Sequence, residues 1–63
     1  LPMDVKYKGM TVNERLYISG LSDDFYNAVN NKDVERVIEI LQEVELNDQS
    51  IVPILQQLGL VKS

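Results

Sequence analysis

The chain reads as a small all-α protein: an antiparallel three-helix bundle behind an irregular N-terminal arm. Three observations predict this. Apolar residues recur at helical spacing through residues 17–29, 34–44 and 51–58. The interruptions between those stretches are short and rich in Asn, Asp and Ser, which favour turns. Helix start and stop signals flank the periodic stretches, with Thr11, Asp33 and Ser50 before them and Gly59 after the last. The expected organisation is an arm over residues 1–10 and one helical domain over residues 11–61.

Residues 1–9 (LPMDVKYKG) have no clear period and end in glycine, as expected of an extended arm. Met10 is a candidate native start. Thr11-Val12-Asn13-Glu14 then has the capping-box pattern, in which Thr11 caps the helix and Glu14 reaches back to it. The first helix is expected over residues 12–30. At 100° per residue, Tyr17, Ile18, Leu21, Phe25, Ala28 and Val29 fall within about a 120° arc, the width of a core-facing stripe. The stripe keeps its phase through Gly20, which favours one continuous helix over a stop at Gly20 and a restart capped by Ser22.

Asn30-Asn31-Lys32-Asp33 is a turn, and Asp33 suits the N-cap of the second helix, expected over residues 34–45. Val34, Val37, Ile38, Leu41 and Val44 share one face there, with Ile40 at its edge. Glu35, Arg36, Glu39, Gln42 and Glu43 take the other. A second turn follows over residues 46–50. Ile51, Ile54, Leu55 and Leu58 then stand at i, i+3, i+4 and i+7, and the third helix is expected to start near Ser50, with Ser50 or Asp48 as its cap and Pro53 in its first turn. Gly59 is placed to end it in a left-handed conformation, with Leu60 folding back on Leu55.

Composition narrows the function. A chain of 63 residues buries only about 60% of its unfolded surface, so its stability is expected to be marginal. It has no Cys and no His, which removes disulfides and ordinary zinc or thiolate sites. No cofactor or metal is expected, and no calcium loop is present. No apolar run is long enough to span a membrane, no signal-peptide pattern is visible, and the lack of Cys fits a cytoplasmic protein. No repeat of 20 to 50 residues is visible. From Met10 to Val61 only Arg15, Lys32 and Arg36 are basic, against nine acids. Such a surface repels phosphate and disfavours nucleic acid, and a partner steered by charge would be basic. Without His, and with carboxylates that read as caps and solvated faces, no catalytic residues are assigned.

The candidate contact residues are therefore surface ones. Glu35, Glu39 and Glu43 form an acidic ridge at i, i+4 and i+8, where like charges cost about 0.2–0.5 kcal/mol per pair. The plain reading is a solvated helix face; the functional one is a docking ridge for a basic protein. Tyr26 lies off the apolar stripe and is expected to be exposed. Leu16 and Val12 also lie off it, near the opposite face, where they could meet the third helix, the N-terminal arm or a partner. Self-association through apolar faces is an alternative.

Asn13-Glu14-Arg15-Leu16-Tyr17-Ile18-Ser19-Gly20-Leu21, with Phe25 and the Lys32-Asp33 pair beyond, resembles small uncharacterised bacterial helical proteins with an N-E-R-L-(Y/F)-x-S-G-L pattern. Such proteins are associated with toxin and immunity gene clusters. The resemblance implies an immunity-type or accessory protein that binds a basic toxin domain. Residues 31–41 are also similar to the last helix of a ubiquitin-associated domain, with Gly20-Leu21 standing for that family's Gly-Phe loop, and to an ankyrin outer helix. Departures are visible: the loop-to-helix spacing is shorter than in ubiquitin-associated domains, and the ankyrin T-P-L-H signature is missing. The expected function is non-catalytic protein binding.

Overall fold

The structure is a computed structural model that describes Tyr7 and residues 9–62. It contains four helices, α1 (Val12–Ser19), α2 (Ser22–Asn30), α3 (Val34–Glu43) and α4 (Asp48–Gln57), and no strand among the described residues. The all-α expectation holds, but the bundle has four helices where three were expected.

The difference arises at Gly20. Its φ is +76°, in the left-handed region where a side chain is disfavoured. Its N–H donates to the Tyr17 carbonyl at 3.2 Å, and the Leu21 N–H donates to the Leu16 carbonyl at 3.0 Å. That pair of bonds is a Schellman ending. The capping box opens α1 as expected: the Glu14 N–H donates to Thr11 Oγ1 at 3.2 Å, and the Thr11 N–H donates to Glu14 Oε1 at 2.8 Å. α1 is thus an eight-residue helix closed at both ends. α2 starts afresh with Leu21 as its N-cap residue and no side-chain cap, and Asp23 and Asp24 lie in the first turn against the helix dipole.

The restart changes which residues are core. Tyr17 is 82% exposed and Ile18 51% exposed, whereas Leu16 is 1% exposed. The stripe through Gly20 is therefore incorrect in α1, because the left-handed residue turns the chain and resets the helical phase. Its α2 half survives: Phe25 and Ala28 are buried and Val29 is half-buried.

α3 begins at its Asp33 cap, whose Oδ1 accepts from the Arg36 N–H at 3.2 Å. Val37, Ile40, Leu41 and Val44 are all fully buried. Ile40 thus lies at the centre of the buried face and Val34 and Ile38 at its margins, a modest rotation from the expected stripe. α3 ends at Glu43 because Glu45 is left-handed, with φ +67°. α4 begins earlier than expected: Asn47 is the cap, its Oδ1 accepting from the Ser50 N–H at 3.0 Å. Pro53 consequently sits in the second turn, where it has no N–H to give the Gln49 carbonyl. Gly59 and Leu60 form the expected ending, with Leu60 N–H to the Leu55 carbonyl at 3.0 Å.

The helices pack in succession, α1 on α2, α2 on α3 and α3 on α4, and no other pair brings Cα atoms within 8 Å. The described residues extend 38 × 23 × 16 Å. One core joins them: Tyr7, Leu16, Phe25, Ala28, Val37, Ile40, Leu41, Val44, Ile51 and Leu55. Tyr7 belongs to the segment expected as an arm, yet it is buried. Most of that segment lies outside the described residues.

Candidate interaction surfaces

Among the described residues no polar or charged side chain is buried, and no group of three acids is placed to hold a metal ion. The polar and charged side chains of the described residues are therefore exposed or half-buried. Three regions stand out on the surface, one on α3 and two that draw on α1.

The first is the expected acidic ridge on α3. Glu35, Glu39 and Glu43 are all exposed. Arg36 interrupts the ridge: its Nη1 lies 3.2 Å from Glu39 Oε1, and its Nη2 lies 3.8 Å from Asp24 Oδ2 on α2. Arg36, Glu39, Gln42 and Glu43 line a shallow polar groove of about 460 Å³, and Glu35 is not part of it. These side chains are well exposed, so their ion pairs are worth little.

The second region was not anticipated. The outward face of α1 carries Asn13, Glu14, Tyr17 and Ile18, and together with Met10 they line an apolar depression of about 430 Å³. Exposed Tyr17 and Ile18 and half-buried Met10 make this depression mostly apolar, with Glu14 the one acid lining it. Leu16, expected as a contact residue, faces away from this patch into the core. The signal for the correct face was present: Val12 and Leu16 are four apart and inward, while Ser-Gly-Leu at 19–21 repeats the Leu-Gly-Leu ending of α4 at 58–60. Tyr26 is exposed, as expected, and its ring meets Phe25 edge-on with centroids 5.7 Å apart. It is not among the residues lining the α1 depression.

The third region is a clasp. Arg15 donates through Nε to the Met10 carbonyl at 3.2 Å, and through Nη1 to the Val44 carbonyl at 2.9 Å and the Glu45 carbonyl at 3.3 Å. Its guanidinium lies over the Tyr7 ring, 5.8 Å from the centroid. The Val44 and Glu45 carbonyls lie just past the end of α3, where the helix supplies no further donor, so a cation there satisfies them and meets the negative end of the dipole. Arg15 therefore adds a polar tie between α1 and the end of α3, helices that share the core but bring no Cα atoms within 8 Å. It leaves Lys32, Arg36 and Lys62 as the remaining bases among the described residues, against nine acids.

Compared with family models, with curated proteins and with solved structures, the chain matches none.

Proposed function

We propose that the chain is a non-catalytic protein-binding module that engages its partner through the α1 patch of Met10, Tyr17 and Ile18. The exposure of Tyr17, 82% on the outward face of α1 beside half-exposed Ile18, carries this reading. An aromatic of that size left in water on a small domain is a candidate hot spot. The partner is a basic protein. Glu14 stands at the edge of the patch, and the acids of α2 and α3 outnumber the bases available to neutralise them, so a positive surface is drawn in and an acidic one is repelled. Within that class, an immunity-type or toxin-cluster accessory role is the specific reading, supported by the resemblance carried by residues 13–21 and by the acidic charge.

The test is capture from the source cell with the intact chain and with Tyr17→Ser/Ile18→Ser. Both positions are exposed, so the double variant should keep its helical circular dichroism. Loss of a basic captured protein with the variant supports the proposal. Equal capture by both chains removes the α1 patch from the interface. Glu39→Lys examines the ridge separately: an unchanged affinity and salt slope would mark Glu35, Glu39 and Glu43 as a solvated face.

A further inference from the structure

The residues lining the α1 depression keep a helical spacing that begins before the helix does. Met10, Asn13, Glu14, Tyr17 and Ile18 stand at i, i+3, i+4, i+7 and i+8, which is one face of a helix. Yet α1 starts at Val12 behind its Thr11 cap, and Met10 precedes that cap at the N′ position. The helical ladder therefore does not hold Met10 in register with the face it extends.

An apolar residue at N′ often packs its side chain on an apolar residue at N4, a staple that fixes how the chain enters the helix. Here N4 is Arg15. It fastens Met10 by the backbone instead, with Nε donating to the Met10 carbonyl at 3.2 Å. The Met10 N–H donates to the Tyr7 carbonyl at 3.1 Å, which closes a turn with Gly9 at φ +77°. Tyr7 is buried, and its ring lies under the same guanidinium. Both backbone polar groups of Met10 are thus engaged, one by Arg15 and one by Tyr7. Its side chain is left for the outer face of α1, where it lines the depression. An apolar residue at N4 would draw that side chain away into a staple.

We infer that Arg15 is the positioning residue of the α1 patch: it extends the patch beyond the helix by holding Met10, and it anchors that extension to the end of α3 through the Val44 and Glu45 carbonyls. The inference rests on the α1 patch being the contact surface only for its consequence in binding, which is that a change at Arg15 weakens capture although Arg15 does not line the depression. The placement of Met10 is a property of the free chain. A residue that only supported the fold would not decide where the Met10 side chain lies.

Nuclear magnetic resonance of the full chain tests it, by nuclear Overhauser contacts from the Met10 methyl group to Asn13, Glu14, Tyr17 and Ile18. The unaltered chain should show such contacts. In Arg15→Leu, which creates an apolar N4, they should be lost and replaced by contacts to the side chain at position 15. Arg15→Lys should weaken them without that replacement, because an ammonium does not serve the Met10 and Val44 carbonyls together. This variant decides the matter if Arg15→Leu does not fold. Gly59→Ala, strained by φ +76° beyond the far end of α4, lowers stability without touching the turn and should leave the contacts intact. Their absence from the unaltered chain overturns the inference. So does their persistence in folded Arg15→Leu or, failing that, undiminished in Arg15→Lys. Their loss in Gly59→Ala also overturns it, since the placement of Met10 would then follow overall stability. Because the free chain is read throughout, this result and the capture experiment with Tyr17→Ser/Ile18→Ser can each fail alone.

Discussion

α1 and α3 solve the same problem with different clarity. α3 sorts its residues by face: aliphatic side chains inward, Glu35, Arg36, Glu39, Gln42 and Glu43 outward. α1 does not. Apolar residues occur on both of its sides, Val12 and Leu16 within and Tyr17 and Ile18 without. A helix whose only task is to cover a core can be polar everywhere else. A helix that keeps large apolar residues in water has a second contact to make, and its periodicity is blurred for that reason. The ambiguity of α1 in the sequence is thus the ambiguity of a helix with apolar residues on both faces, which the proposed contact would explain.

The sharpest way to break this comparison is to truncate neighbours on the two faces of α1. Leu16→Ala removes a fully buried side chain from a four-helix core, and should cost about 2–5 kcal/mol. In a domain of marginal stability that is enough to unfold much of the population. Tyr17→Ala, one residue away, should cost under about 1 kcal/mol. Urea or thermal unfolding followed by circular dichroism distinguishes them. Equal losses would mean that Tyr17 also supports the core and that the two faces of α1 are not divided as described.

Much of the fold was legible because it rests on local chemistry. The Thr11 and Asp33 caps, the Gly59 ending and the inward positions of α2 and, except for Leu58, of α4 follow from short-range rules that act in the chain's own neighbourhood; Leu58, at the end of the α4 stripe, is 37% exposed. What was not legible depended on weighing two local signals against each other. Gly20-Leu21 offers a stop, the Tyr17–Val29 spacing offers continuity, and only the packing of Leu16 against the rest of the core decides between them. The candidate site suffered for the same reason. A phase that sets Leu16 outside sets Tyr17 and Ile18 inside, and with them the exposed patch is hidden. The Arg15 clasp could not be read at all, since it joins residues 29 and 30 positions apart through backbone carbonyls that carry no sequence signature.

That clasp supplies the second largest effect. Arg15→Ala would strip donors from the Val44 and Glu45 carbonyls and from Met10, and would remove the cation over Tyr7. Hydrogen bonds from a charged group are worth about 1.5–3 kcal/mol, so a loss of about 2 kcal/mol is expected. Arg15→Lys should restore less than half of it. An ammonium cannot span the Met10 and Val44 carbonyls as the Nε and Nη1 positions do. Full rescue by lysine would reduce the clasp to a simple charge at a helix end.

The ends of α1 and α3 offer a smaller and more symmetrical test. Both close with the same pair of bonds: Gly20 to Tyr17 and Leu21 to Leu16 in one, Glu45 to Gln42 and Leu46 to Leu41 in the other. The left-handed residue is glycine in α1 and glutamate in α3. Left-handed backbone costs an L-residue about 1–2 kcal/mol. Gly20→Ala should therefore destabilise by about 1 kcal/mol, although nothing within 4 Å obstructs the added Cβ. Glu45→Gly should stabilise by somewhat less than about 1 kcal/mol, because glycine also gives more freedom to the unfolded chain. Changes of the same sign at both positions would show that the two endings are not equivalent.

The smallest effect concerns the charged face that makes α3 so readable. Arg36 pairs with Glu39 and reaches Asp24, yet its side chain is 43% exposed and theirs 65% and 58%. Pairs in that setting are screened by water and must hold long side chains in place, so each contributes about 0–1 kcal/mol. Arg36→Gln keeps most of the side chain's length and removes only the charge. It should change stability by less than about 0.5 kcal/mol in 0.15 M salt and by more at low salt, where Glu35, Glu39 and Glu43 repel over a longer range. A loss above about 1.5 kcal/mol, or one indifferent to salt, would mean that the α2–α3 packing depends on this pair. The clean amphipathic pattern of α3 would then owe part of its form to a specific tie and not to burial alone.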